Sequence, residues 1–225
     1  MALDPDAAER MRASRRVIER LVADGETVYG VTTGFGDLAN VRIEPDQVAE
    51  LQRNLVRSHT AGVGEPLPED VVRAMLLLRA NALAIGLSGV RPALAELLCG
   101  MLNESVHPVI PSRGSVGASG DLAPLAHLAA VLIGEGAADT PTGPMSGADA
   151  LSASGLAPLT LGAKEGLALL NGTQLMTAIA ALVLTDPDAQ ALAQPVPRCR
   201  FGKAGEQHGG QSGQQCGAME HGCSP

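Results

Sequence analysis

Aromatic residues are almost missing from this chain: two Phe, one Tyr and no Trp among 225 residues. A close-packed interior must then be filled by aliphatic side chains, here Ala, Leu and Val. Such residues at helical spacing predict a mainly helical protein. The apolar share of 45% is that of a globular chain, which excludes disorder throughout. The length suits one domain or two small ones. A net charge of −8 and a pI near 5.1 argue against a nucleic-acid partner. The longest apolar run, 175–184, falls short of the roughly 18 residues of a membrane helix, so no membrane partner is expected. The start, MALDPDAAER, is charged from Asp4 onward and is not a secretory signal. Cys99 stands alone in a helical pattern and the other three Cys crowd the end of the chain. That is no disulfide framework, and a reducing cytoplasm is the expected location.

Helical periodicity recurs along the chain. Residues 6–23 place Met11, Val17, Ile18, Leu21 and Val22 mainly on one face. Residues 46–58 space Val48, Leu51 and Leu55 likewise, and Pro68 opens a helix to about Gly86 with acids in its first turn. Pro92 opens another that buries Leu94, Leu97, Leu98, Met101 and Leu102. Asp121 is positioned to cap a helix carrying Leu122, Leu125, Leu128 and Leu132. Residues 164–184 repeat the pattern, interrupted at Asn171-Gly172-Thr173. Short extended segments are expected near 27–44, and a surface loop over the Gly-, Ala- and Ser-rich 134–155.

The stretch 108–127, PVIPSRGSVGASGDLAPLAH, breaks this rhythm. A Gly-rich loop entering a helix can bind an anion. It is not a phosphate loop of the usual kind, because no Gly-Lys-Ser/Thr follows the glycines. It is not a hydrolase nucleophile elbow either, since Gly117-Ala118-Ser119-Gly120-Asp121 lacks the second glycine.

The string 114–127, GSVGASGDLAPLAH, resembles the signature of the aromatic amino-acid ammonia-lyases, and within them most the histidine ammonia-lyases. The resemblance implies that Ala118, Ser119 and Gly120 cyclise autocatalytically into 4-methylidene-imidazol-5-one (MIO). The residue types suit that chemistry. Gly120 has no Cβ, so its nitrogen can approach the Ala118 carbonyl, and Ser119 carries the hydroxyl lost as water. A helix starting at Asp121 would turn its positive end to the site.

Three further segments are similar to the same family. Tyr29-Gly30-Val31-Thr32-Thr33-Gly34-Phe35-Gly36 carries the only tyrosine, which the resemblance makes the acid/base; Thr32 stands where the family more often has Asn. A phenol is protonated at neutral pH, so that role demands surroundings that favour the phenolate. Ser58-His59 within 51–64 implies that His59 lines the substrate pocket, where an imidazole can bond another imidazole. Lys164 to Thr173, KEGLALLNGT, implies that Asn171 reaches the ring or the substrate. Each residue also has a plainer reading: a buried hydrogen-bonded Tyr, a His capping a helix end, an Asn-Gly turn.

Taken together, the resemblance implies an N-terminal, MIO-bearing part of a helical ammonia-lyase fold over 1–186. It implies elimination of ammonia from L-histidine to give trans-urocanate, the first step of histidine degradation, without metal or nucleotide. The alternatives are a tyrosine or phenylalanine lyase, an aminomutase, or a non-catalytic subunit. The family is homotetrameric and its chains are much longer. Its later Gln-Asp-x-Tyr-Ser-x-Arg segment, which binds the substrate carboxylate, does not occur here. The chain alone is therefore expected to be inactive, with exposed apolar faces and poor solubility. Residues 187–225, rich in Gly, Gln, Cys and His, read as a non-family tail, disordered or frameshifted. The other reading is a zinc site from Cys199, Cys216, Cys223, His208 and His221, which lacks any Cys-x-x-Cys pair.

Overall fold

The computed structural model describes residues 1–33, 43, 47–114 and 119–185. Ala118, Gly34-Phe35-Gly36 and the segment 187–225, with its zinc reading, lie outside the described residues.

Helices dominate, as expected. They are α1 (Pro5–Ala23), α2 (Val48–His59), α3 (Glu69–Ala84), α4 (Pro92–Asn103), α5 (Leu122–Leu132), α6 (Gly147–Ala153), α7 (Glu165–Leu170) and α8 (Gln174–Thr185). Their ends follow local chemistry. The Asp4 carboxylate accepts the amides of Asp6 and Ala7, so α1 starts at Pro5. Pro92 opens α4, and Ser146 caps α6 through Asp149 N–H. Pro124 is tolerated in the first turn of α5, where its missing N–H would have had no helical partner.

α5 is the axis of the molecule. Every residue from Ala123 to Leu132 except His127 is buried, and α2, α4, α6, α7 and α8 pack around it. α3 lies between α4 and α8 and adds Val72, Met75, Leu76 and Leu83 to the core. Every core residue expected on α4 is buried. Each Leu so buried contributes about 1.5–3 kcal/mol of transfer free energy, which lets Leu and Ala replace the missing aromatics.

Three expectations need correction. Val17 is exposed, because the buried stripe of α1 runs through Ala7, Ala8, Met11 and Ile18, one position away. Residues 134–155 are not a surface loop. They form β4 (Ala137–Thr140) and β5 (Gly143–Ser146), an antiparallel hairpin, and then α6, burying Ala138, Ala150 and Leu151. The hairpin joins β2 (His107–Pro108) to make a three-stranded sheet. Further extended pieces form these strands and the pair β1 (Val63–Pro66) and β3 (Pro111–Arg113); of 27–44 the structure describes 27–33 and 43, where 29–32 form a turn, Thr33 sits in a bridge and Ile43 N–H donates to the Thr32 carbonyl at 3.0 Å. Thr32 closes that turn: its hydroxyl accepts Val28 N–H and donates to the Glu26 carbonyl. Finally, the stretch Glu165–Thr185 is long and apolar enough by composition to cross a bilayer. Here it is two helices broken at Asn171–Thr173, and Glu165 at its start is buried in an ion pair with Arg91.

Among the described residues, α8 carries an exposed apolar face. Met176, Ile179, Val183 and Leu184 of α8 are exposed, Leu184 by 69%.

Candidate active site

Two connections bring distant segments together. β1 pairs antiparallel with β3, Val63 opposite Arg113. This pairing lays the loop after His59 against the chain entering the Gly-rich stretch, so that a Cβ on Gly114 would stand 3.0 Å from Gly62 Cα. His127 on α5 holds the same loop, its Nε2 accepting the Gly62 N–H at 3.1 Å. Burial lowers the pKa of His127 and keeps that nitrogen an acceptor.

The second connection runs through Asp121. It stands at the start of α5, yet its side chain does not cap that helix. Oδ2 accepts instead the N–H groups of Leu175 at 2.8 Å and Met176 at 3.2 Å, the open amides of the first turn of α8. The expected cap is therefore real in chemistry but belongs to a helix 54 residues away. Burial raises the pKa of Asp121, and the two amides pull it back.

Ser119 and Gly120 sit between these anchors. The Ser119 hydroxyl donates to the Gly172 carbonyl at 2.9 Å. Gly120 has φ 84°, a left-handed conformation that a side chain disfavours. Thus the described part of the tripeptide touches the Asn171-Gly172 turn directly.

Next to it lies a cavity of about 600 Å³ lined by Tyr29, His59 and Asn171. Asn54 and Ser58 add polar groups, and Leu51, Leu55, Leu122, Leu167 and Leu170 form an apolar wall. Three of the residues singled out in the sequence thus share one concavity, although 30 to 142 positions separate them in the chain. Tyr29 is 58% exposed, so it is not the buried tyrosine of the plainer reading. His59 ends α2, and its Nδ1 lies 2.9 Å from the Leu55 carbonyl. A carbonyl only accepts, so Nδ1 carries the hydrogen and Nε2 is left as an acceptor. Asn171 is the C-cap of α7, its N–H bonded to the Leu167 carbonyl.

The sequence and the fold that carry this cavity have known counterparts. The family model for aromatic amino acid lyases matches residues 1–196. The chain belongs to the aromatic amino acid lyase family. Within that family it is 56% identical over 186 residues to the histidine ammonia-lyase of Alkaliphilus metalliredigens, an alignment spanning 83% of this chain and 37% of that protein. It is 58% identical over 192 residues to that of Gloeobacter violaceus, spanning 85% and 37%. Among solved structures, histidine ammonia-lyase from Trypanosoma cruzi superposes with a TM-score of 0.73 at 43% identity, over 80% of this chain and 34% of that one. Ergothionase from Treponema denticola superposes at 0.77 and 35% identity, over 80% and 36%. The chain therefore spans little more than a third of the length of these relatives.

The sequence reading missed Arg79 and Gln52. Both are buried on helices, at 3% and 0% exposure, and both bond the α7 region: Gln52 Oε1 accepts Gly166 N–H, and Arg79 donates to Asn171 O. The signal was present. Arg79 occurs at helical spacing on the same stripe as Val72, Met75, Leu76 and Leu83.

Proposed function

We propose that this chain is the prosthetic-group-bearing portion of a histidine ammonia-lyase, a carbon–nitrogen lyase that converts L-histidine to trans-urocanate and ammonia. The observation that carries the reading is the cavity shared by Tyr29, His59 and Asn171, next to a Ser119 hydroxyl bonded to the Gly172 carbonyl. Relatives named histidine ammonia-lyase, at 53–58% identity, support the substrate.

The residues present fit MIO formation from Ala118, Ser119 and Gly120. Ser119 is half-buried with its hydroxyl held, and Gly120 occupies a backbone conformation that suits glycine. The group supplies an electrophilic carbon that ordinary side chains lack. The remaining work falls to this chain's own residues. His59 Nε2 accepts the N–H of the substrate imidazole. The leucine wall excludes water from the ring. Asn171 offers an amide donor and acceptor to the amino acid, and Tyr29 Oη takes the β-proton. The reading extends to a homotetramer in the cytoplasm, whose remaining sequence supplies the contact to the substrate carboxylate.

The test is the intact mass of the purified chain, followed by absorbance of the product after incubation with L-histidine. Loss of two waters localised to 118–120 by peptide mapping supports the reading. A mass equal to the translated sequence, both alone and after mixing with a full-length lyase, overturns it for this chain. Turnover of L-tyrosine in place of L-histidine would favour the tyrosine aminomutases, one of which superposes at a TM-score of 0.74.

A further inference from the structure

Arg79 is an unusual cation. It lies in the middle of α3, is 3% exposed, and no carboxylate among the described residues offsets its burial, which brings its pKa down to about 10. Its donors go to one place. Nη2 donates to the Ala168 carbonyl and, at 3.1 Å, to the Asn171 carbonyl. Nη1 donates to Gln174 Oε1 at 2.8 Å, and Nε has no partner among the described residues. Ala168 and Asn171 are at the C-terminal end of α7, where free carbonyls and the helix dipole concentrate negative charge. Gln174 is the first residue of α8. The guanidinium thus ties the end of one helix to the start of the next across the three-residue break, 171–173.

That break is where the site is built. Asn171 lines the cavity, and the next carbonyl, Gly172 O, receives the Ser119 hydroxyl. At Gly172 a Cβ would run into Gln174 Oε1 and stand 2.5 Å from Arg79 Nη1, so a side chain there would push this hydrogen-bonded pair aside. From α3, then, one buried cation fixes the peptide that carries the Asn171 amide and abuts the peptide that holds Ser119.

We propose that Arg79 is a positioning residue: it clamps the Asn171–Gly172 turn and thereby sets where the Asn171 amide and the Ser119 hydroxyl stand. The inference rests on the proposed function for what the turn is used for, but the clamp itself is independent of it. Without the guanidinium, α7 and α8 keep their helical bonds while the joint between them loosens. Lysine retains the charge and one donor direction, so it restores part of the clamp.

The experiment compares the full chain with Arg79→Met, Arg79→Lys and Leu76→Ala, the last a fully buried member of the core cluster on α3 with no polar group to bond the turn. Two quantities are read: amide hydrogen exchange by residue, and the extent of dehydration at 118–120 by intact mass. In Arg79→Met, exchange at 171–177 rises by about tenfold beyond that in Leu76→Ala at matched global stability, and dehydration falls. Arg79→Lys recovers part of both. Exchange in Arg79→Met that rises no more at the turn than in Leu76→Ala overturns the proposal, as does a lysine variant that recovers nothing. If the unsubstituted chain never dehydrates, the proposed function fails for it, while the exchange measurement still decides the role of Arg79.

Discussion

Asp121 and Leu175 are joined by a 2.8 Å hydrogen bond that makes the first residue before α5 the N-terminal cap of α8. The bond places the tripeptide's exit and the start of α8 in one rigid unit, with Ser119 bonded to Gly172 on its other side.

Asp121→Ala removes the acceptor of two part-buried amides at the start of α8. Losing such a cap costs about 0.5–2 kcal/mol, so the urea midpoint of the variant should fall correspondingly. Asp121→Asn keeps an acceptor oxygen and should lose less. An alanine variant as stable as the parent would show that α8 does not depend on this cap.

Ser119→Ala leaves the backbone of the loop intact but removes the hydroxyl that donates to Gly172 O. Intact mass should show no loss of water in this variant, and circular dichroism an unchanged helix content. Any urocanate formed by it above the buffer rate would refute the role given to Ser119.

His127 predicts a pH dependence. Its folded pKa lies below the ordinary 6.5, through burial, so the unfolded chain takes up the proton first. Stability is therefore whole above about pH 6.5 and declines as the pH falls below it. Urea unfolding near pH 7.5 and near pH 5.5 should show a smaller acid loss in His127→Gln than in the parent. His107, whose pKa burial also lowers, contributes in both proteins and cancels in the comparison.

Glu165 anchors the start of α7. Burial would raise its pKa, but hydrogen bonds from Arg91 and from the Gly162 and Arg91 amides outweigh that and hold it below the usual 4.5. Its contribution is thus present above about pH 4.5 and lost as the pH falls through the lower folded value. Breaking a buried pair costs about 3–5 kcal/mol. Arg91 is 38% exposed and can regain water, so Glu165→Gln should sit at the lower end in thermal and urea melts.

Much of this architecture was legible because its signals are local. Pro5 and Pro92 at helix starts, the Leu stripe of α4 and the Asn-Gly break between α7 and α8 are all written within one or two turns of chain. The 137–146 hairpin was not, because it is mostly Ala, Asp, Gly and Pro, which strands disfavour, and its pairing with His107–Pro108 is long-range. For the site, the family resemblance named Tyr29, His59, Ser119 and Asn171, but no spacing could say that three of them line one cavity. Asp121 and Arg79 show the limit most clearly. A carboxylate before a helix and a cation within one have obvious local uses, and both bond the distant α7–α8 junction instead, Asp121 at the start of α8 and Arg79 across the break.

Tyr29 stands at the cavity and is the only tyrosine, in a chain without tryptophan. Near-ultraviolet absorption and intrinsic emission of this protein therefore arise almost wholly from one phenol at one place. Any ligand that enters the cavity, and any new chromophore made from residues 118–120, would be recorded by a built-in optical probe with almost no background to subtract.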